Sequence, residues 1–117
     1  SQYIGGQMAK LRMKKIGNLK DEVMLLDEEV LKLGKSMEKA DAFFTEDAHY
    51  FAVYEKYYYR ADNYVTLSIH LYKQEDTIWI EAISAGGGGG ILKISWGSEQ
   101  DFLADFERLL RKQGYHE

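Results

Sequence analysis

Between Tyr64 and Ala85 apolar and polar residues alternate twice, on either side of one polar break. Val65, Leu67, Ile69 and Leu71 alternate with Thr66, Ser68, His70 and Tyr72. Ile78, Ile80 and Ala82 then alternate with Trp79, Glu81 and Ile83. A period of two places every second side chain on the same face of a strand, so both runs read as strands with one buried face. If Lys73 to Asp76 forms a four-residue hairpin loop, Tyr72 sits opposite Thr77. Leu71 then faces Ile78, Ile69 faces Ile80 and Leu67 faces Ala82, while His70 faces Trp79 and Ser68 faces Glu81. A slip of one residue would mix the two faces, so this pairing parity is strongly specified.

The flanking segments supply the rest of a two-layer fold. Leu11 to Ile16 reads as a short strand ended by Gly17. Asn18 is placed to cap a helix with Asp21 and Glu22 in its first turn, where negative charge suits the dipole. Leu19, Val23, Leu26, Val30 and Leu33 follow at helical spacing, and Gly34 stops the run. Ala40 to Phe44 and Tyr50 to Tyr59 read as strands, and so does Ile91 to Trp96. Ser98 is expected to cap a second helix, whose apolar face is Phe102, Leu103, Phe106, Leu109 and Leu110, with Gly114 at its end. The expected fold is α+β: an antiparallel sheet of about five strands with two helices on one face, in the order β-α-β-β-β-β-(β)-α.

Size and charge narrow the function. The 117 residues make room for a single core, expected over 8–117, with 1–7 an expression remnant or disordered tail and Met8 the native start. Ser1 to Gln7 lacks the basic start and apolar stretch of a signal peptide. No apolar run reaches the ~20 residues that span a bilayer, so no membrane partner is expected. The chain has no cysteine, which excludes disulfides and thiolate zinc sites and suits a reducing cytosol. Its net charge of -4 makes it a poor nucleic-acid binder, because that affinity rests on phosphate neutralisation. The basic cluster Lys10, Arg12, Lys14 and Lys15 reads as a lysine-guarded edge strand.

Few residues are candidates for chemistry. Gly86, Gly87, Gly88, Gly89 and Gly90 form an unbroken run. A dinucleotide loop needs a helix after its glycines, and a Walker loop needs a following Lys-Ser or Lys-Thr; neither is present. The run therefore reads as a slack or mobile loop between two strands. His49, His70 and His116 show no paired metal-ligand spacing, and His116 reads as part of a tail. No metal or cofactor is expected. Ser68, His70 and Glu81 resemble a catalytic trio, but Ser68 and His70 lie about 6–7 Å apart along one strand, beyond the reach of nucleophile and base. No catalytic residue is assigned.

The strand "VYEKYYYR" must tuck in either Glu55 or Lys56, and each choice has a cost. Placing Phe51, Val53, Tyr57 and Tyr59 inward turns Tyr54, Lys56 and Tyr58 outward. Tyr54, Tyr58, His70, Tyr72, Trp79 and Glu81 would then line the face that the helices leave bare. Large flat side chains on a solvent-facing sheet mark a binding surface. The reading that follows is a non-enzymatic binding or regulatory module that homodimerises through this face. The alternatives are a small apolar or aromatic ligand bound there, or a carrier or small enzyme with a pocket between sheet and helices.

The stretches "YVTLSIHLYKQEDTIWIEAISAGG" and "LKISWGSEQDFL" carry a further signal. In them the chain resembles a family of short, uncharacterised bacterial proteins, a domain of unknown function. The resemblance implies a small intracellular protein with no assigned activity, cofactor or catalytic residue. The element order is also similar to that of TATA-binding-protein-like domains, a fold-level likeness that transfers no function.

Overall fold

A computed structural model describes residues 8–45, 48–59, 62–86 and 98–117. Strand β1 (Met8–Ile16) leads to helix α1 (Leu19–Val30), which tightens into a 3-10 turn at Leu31–Leu33. Four strands follow: β2 (Glu38–Thr45), β3 (His49–Tyr58), β4 (Asn63–Gln74) and β5 (Thr77–Gly86). Helix α2 (Ser98–Lys112) completes the order. The sheet is antiparallel throughout, with strand order β1-β5-β4-β3-β2. Both helices pack on one of its faces, as expected. The expected strand Ile91 to Trp96 lies outside the described residues, as do Gly87 to Gly90; Gly86 closes β5.

The α1 stripe is core. Leu19, Val23, Leu26 and Val30 are buried, and Asn18 Oδ1 accepts the Asp21 amide at 3.1 Å as the expected cap. From α2, Phe102, Leu103, Phe106 and Leu110 are fully buried against Leu67, Ile69, Leu71, Ile78 and Ile80 of β4 and β5. The alternation in those two strands therefore lies on the predicted faces.

Three expectations need correction. First, the β4–β5 loop is two residues, Glu75 and Asp76, rather than four. Gln74 pairs with Thr77, so Tyr72 pairs with Trp79, His70 with Glu81 and Ser68 with Ile83. Glu75 adopts a left-handed φ of 57°, which lets the hairpin close this tightly. The shift is two residues, so every side chain keeps its face while its neighbours change.

Second, β3 faces the other way. Tyr50, Ala52 and Tyr54 point into the core, and Phe51 and Val53 point out. Two contacts make this facing favourable. Tyr54 is fully buried, with its hydroxyl donating to Asp27 Oδ1 on α1 at 2.7 Å. Lys56, which lies on the same face, donates from Nζ to the Leu33 carbonyl at 3.2 Å and lies 4.7 Å from the centre of the Tyr58 ring. An orphan carbonyl at the helix end thus takes up the charge that looked costly to tuck in. Gly34 leaves room for it, since a Cβ there would lie 2.6 Å from Lys56 Cε.

Third, the segment after Gly114 is tied down rather than a loose tail. His116 and Lys14 exchange two backbone hydrogen bonds of 2.8 and 2.9 Å along the outer edge of β1. Tyr115 is buried and donates to Glu22 Oε1 at 2.8 Å, and Lys15 pairs with the other oxygen of Glu22 at 3.1 Å. Burial, and then the Glu22 charge, push the Tyr115 hydroxyl well above the usual tyrosine range.

Candidate functional site

The open face follows from the register. Three rows of side chains cross all five strands, in the order β1, β5, β4, β3, β2. Lys14, Trp79, Tyr72, His49 and Thr45 form the first. Arg12, Glu81, His70, Phe51 and Phe43 form the second. Lys10, Ile83, Ser68, Val53 and Asp41 form the third. Of the six residues proposed from sequence for this surface, His70, Tyr72, Trp79 and Glu81 are here. Tyr54 and Tyr58 are on the helix side, where Tyr58 packs 6.1 Å from Phe102, because β3 is inverted relative to the expectation.

The same inversion brings His49, Phe51 and Val53 of β3 onto this face, beside Ile83, which the alternation of β5 already places there. Phe51 and Phe43 stand opposite each other, 43% and 68% exposed, and Ile83 is 46% exposed. Tyr57 and Tyr64 pair further along, with ring centroids 5.3 Å apart. The opposite choice between Glu55 and Lys56 would have found this set. The alternation in "HYFAVY" was compatible with both facings.

At the centre of the face the side chains hold one another. The Arg12 guanidinium lies 4.0 Å above the Trp79 ring, donates to the Tyr72 hydroxyl at 3.0 Å and approaches Glu81 at 3.3 Å. Lys14 Nζ lies 5.1 Å from the same indole. Two cations over one Trp give a surface whose apolar area is rimmed by positive charge. His70 Nδ1 is 3.4 Å from the Glu81 carboxylate, and its Nε2 is 3.1 Å from His49 Nδ1. In the His49–His70 contact one ring nitrogen carries the proton that the other accepts. The two imidazoles are nearly parallel, at 9°, and the Tyr72 ring stacks 4.8 Å from His70.

This arrangement does not form a nucleophilic trio. His70 is partnered by His49 and Glu81, while Ser68 stands opposite Ile83 and Val53. Among the described residues, no group of three or more His, Asp or Glu is placed to hold a metal ion. No described helix is long and apolar enough to cross a membrane. The interior between helices and sheet is filled by the fully buried Tyr54, Phe102, Phe106, Leu26 and Leu67. A cleft of about 510 Å³ beside α2 is lined by Tyr58, Asp101, Ala104, Asp105 and Arg108.

Under the helices, besides the Tyr115–Glu22 pair, a second perturbed polar cluster joins α1 to β3. Asp27 accepts from Tyr54 at 2.7 Å and Tyr50 at 3.3 Å, and Lys39 lies 3.0 Å away. Burial opposes ionisation of Asp27, but hydrogen bonds from Tyr54, Lys39 and Tyr50 outweigh it and hold the carboxyl below its ordinary value.

The chain belongs to a family of unknown function (DUF6054), whose profile matches residues 8–114. No curated protein matches it.

Proposed function

We propose that this member of a family of unknown function is a non-enzymatic binding module that works through its open sheet face and joins there with a second copy of itself. The observation that carries the reading is the unbroken sequence of large flat side chains across the strands. Trp79, Tyr72 and His49 fill one row, and His70, Phe51 and Phe43 fill the next, on the face that neither helix covers. Half-exposed aromatics at this density are uncommon on a monomer, and an isologous contact needs only one such patch.

Size-exclusion chromatography with light scattering tests it, on wild type and on Trp79→Ser. The expected result is a wild-type dimer and a variant shifted to monomer, with the far-UV circular dichroism of the two alike. A monomeric wild type refutes the reading. A small molecule retained by the wild-type monomer in native mass spectrometry would move the assignment to a ligand carrier.

A further inference from the structure

The open face is electrically polar from one edge to the other. Lys10, Arg12 and Lys14 project from β1 at one edge. At the opposite side Asp41 and Glu38 of β2 and Glu55 of β3 share that face, with the exposed ring of Phe43 among them. Between the two lies the aromatic and histidine centre, with one carboxylate, Glu81, already engaged by Arg12 and His70.

Two twisted sheets that pack face to face keep their strands within about 30° of each other. A two-fold axis in the contact plane then has two directions to choose from, across the strands or along them. An axis across the strands lays each strand on its own copy, so Lys10, Arg12 and Lys14 of one chain meet the same three cations of the other. An axis along the strands, over the central strand β4, lays β1 on β2 and β5 on β3 of the second copy. Rotation about that axis leaves each row at its own height, so the facing pairs are determined. Lys10 meets Asp41, Arg12 meets Phe43, Ile83 meets Val53 and Trp79 meets His49, while Tyr72 and His70 meet their own copies.

We propose that two copies of this chain stack open face on open face about a two-fold axis running along β4, each basic β1 column meeting the acidic and aromatic β2 edge of the other. The inference rests on the self-association reading and adds its geometry. Arg12 stacks on Trp79 with one face of its guanidinium and turns the other to Phe43 of the second copy. One opposite-charge pair, Lys10 with Asp41, meets at each margin, and inside them Ile83 meets Val53 and Trp79 meets His49, while Glu81, held by Arg12 and His70 of its own chain, faces Phe51. The size is adequate. Five strands at about 4.8 Å spacing, overlapping for about eight residues of about 3.4 Å, present a face of about 24 × 27 Å, or about 650 Å² per copy. Both copies together bury about 1,300 Å², within the range of specific interfaces.

The absence of cysteine makes a clean test possible. In the proposed dimer Lys10 and Asp41 of different copies are about 10 Å apart, the spacing of stacked sheets. Two copies of Lys10 are four strand spacings apart sideways as well, about 22 Å. Lys10→Cys and Asp41→Cys chains, one carrying a size tag, are mixed, allowed to exchange and treated with a short bismaleimide. Cross-linking in the mixture and not in either variant alone is the expected result. Lys10→Cys linking to itself would overturn the axis while leaving self-association standing. A dimer that gives no link in any sample would overturn both, because association would then use another surface, and so would a wild-type monomer. Charge reversal adds an independent reading: Lys10→Glu should weaken the dimer about tenfold, and Lys10→Glu with Asp41→Lys on one chain should restore it. Failure of the double variant to restore it overturns the charge pairing.

Discussion

Replacing Tyr54 by Phe tests the inverted facing of β3 with a single oxygen atom. The ring is fully buried and phenylalanine keeps its volume, so packing is unchanged. What is lost is the 2.7 Å hydrogen bond to Asp27. Hydrogen bonds to charged groups contribute about 1.5–3 kcal/mol. Asp27 keeps Tyr50 and Lys39, so the loss should fall at the lower end, about 1.5–2 kcal/mol at pH 7. The pH dependence has a definite sign. The folded-state carboxyl is held below its ordinary value of 3.8, so its contribution is complete above that value and is lost as the pH falls through the folded one. Tyr54→Phe removes the strongest of the bonds that hold Asp27 ionised, so the variant should lose less stability on acidification than wild type. The burial and the Asp27 bond keep the Tyr54 hydroxyl protonated well above the ordinary tyrosine range, so it stays a donor throughout. Urea unfolding of both proteins from pH 7 down to pH 3 checks this. The two stabilities should differ by about 1.5–2 kcal/mol at neutral pH, and the difference should narrow as the pH falls below the ordinary carboxylate value. A difference below about 0.5 kcal/mol at pH 7, the range of ordinary surface substitutions, would mean that Tyr54 faces solvent. A difference that does not change with pH would mean that the Asp27 charge is not its partner.

Other outcomes follow from single contacts and can be measured by the same unfolding assay. Asn18→Ala removes the cap that accepts the Asp21 amide and should destabilise by about 1 kcal/mol, while Asn18→Gly should cost only a few tenths. Gly114 has a φ of 98°, so Gly114→Ala should destabilise by about 1 kcal/mol through backbone strain alone, since the nearest atom to an added Cβ is Lys15 Nζ at 3.8 Å. Ile80→Ala opens a cavity in the middle of the core and should cost about 2–5 kcal/mol, whereas Phe43→Ala, on the open face of an edge strand, should leave the unfolding free energy of the monomer within about 0.5 kcal/mol.

Much of the layering was legible in the residues. Alternation in β4 and β5 identified their buried faces because a half-buried sheet tolerates only one parity. The four-three spacing from Leu19, the cap at Asn18 and the apolar stripe of α2 identified two helices with one face each to bury, and a sheet with one apolar face is where they fit. The bare second face, with His70, Tyr72, Trp79 and Glu81 on it, followed from the same argument.

What periodicity could not decide was anything that leaves the period intact. A two-residue shift in the β4–β5 hairpin keeps every face but trades His70 for Tyr72 as the neighbour of Trp79. Strand β3 carries aromatics at both parities and a charge at each, so its facing was decided by partners far away in the chain. Asp27 on α1 takes the Tyr54 hydroxyl, and the Leu33 carbonyl takes the Lys56 ammonium. Only after that choice do His49 and Phe51 join His70 on the open face. The place of β1 beside β5, which sets Arg12 over Trp79 and separates the basic edge from the acidic one, is likewise a product of the assembled sheet. Side-chain spacing reports which way a residue points, while which residues meet depends on hydrogen bonds and charges that exist only once distant segments are packed together.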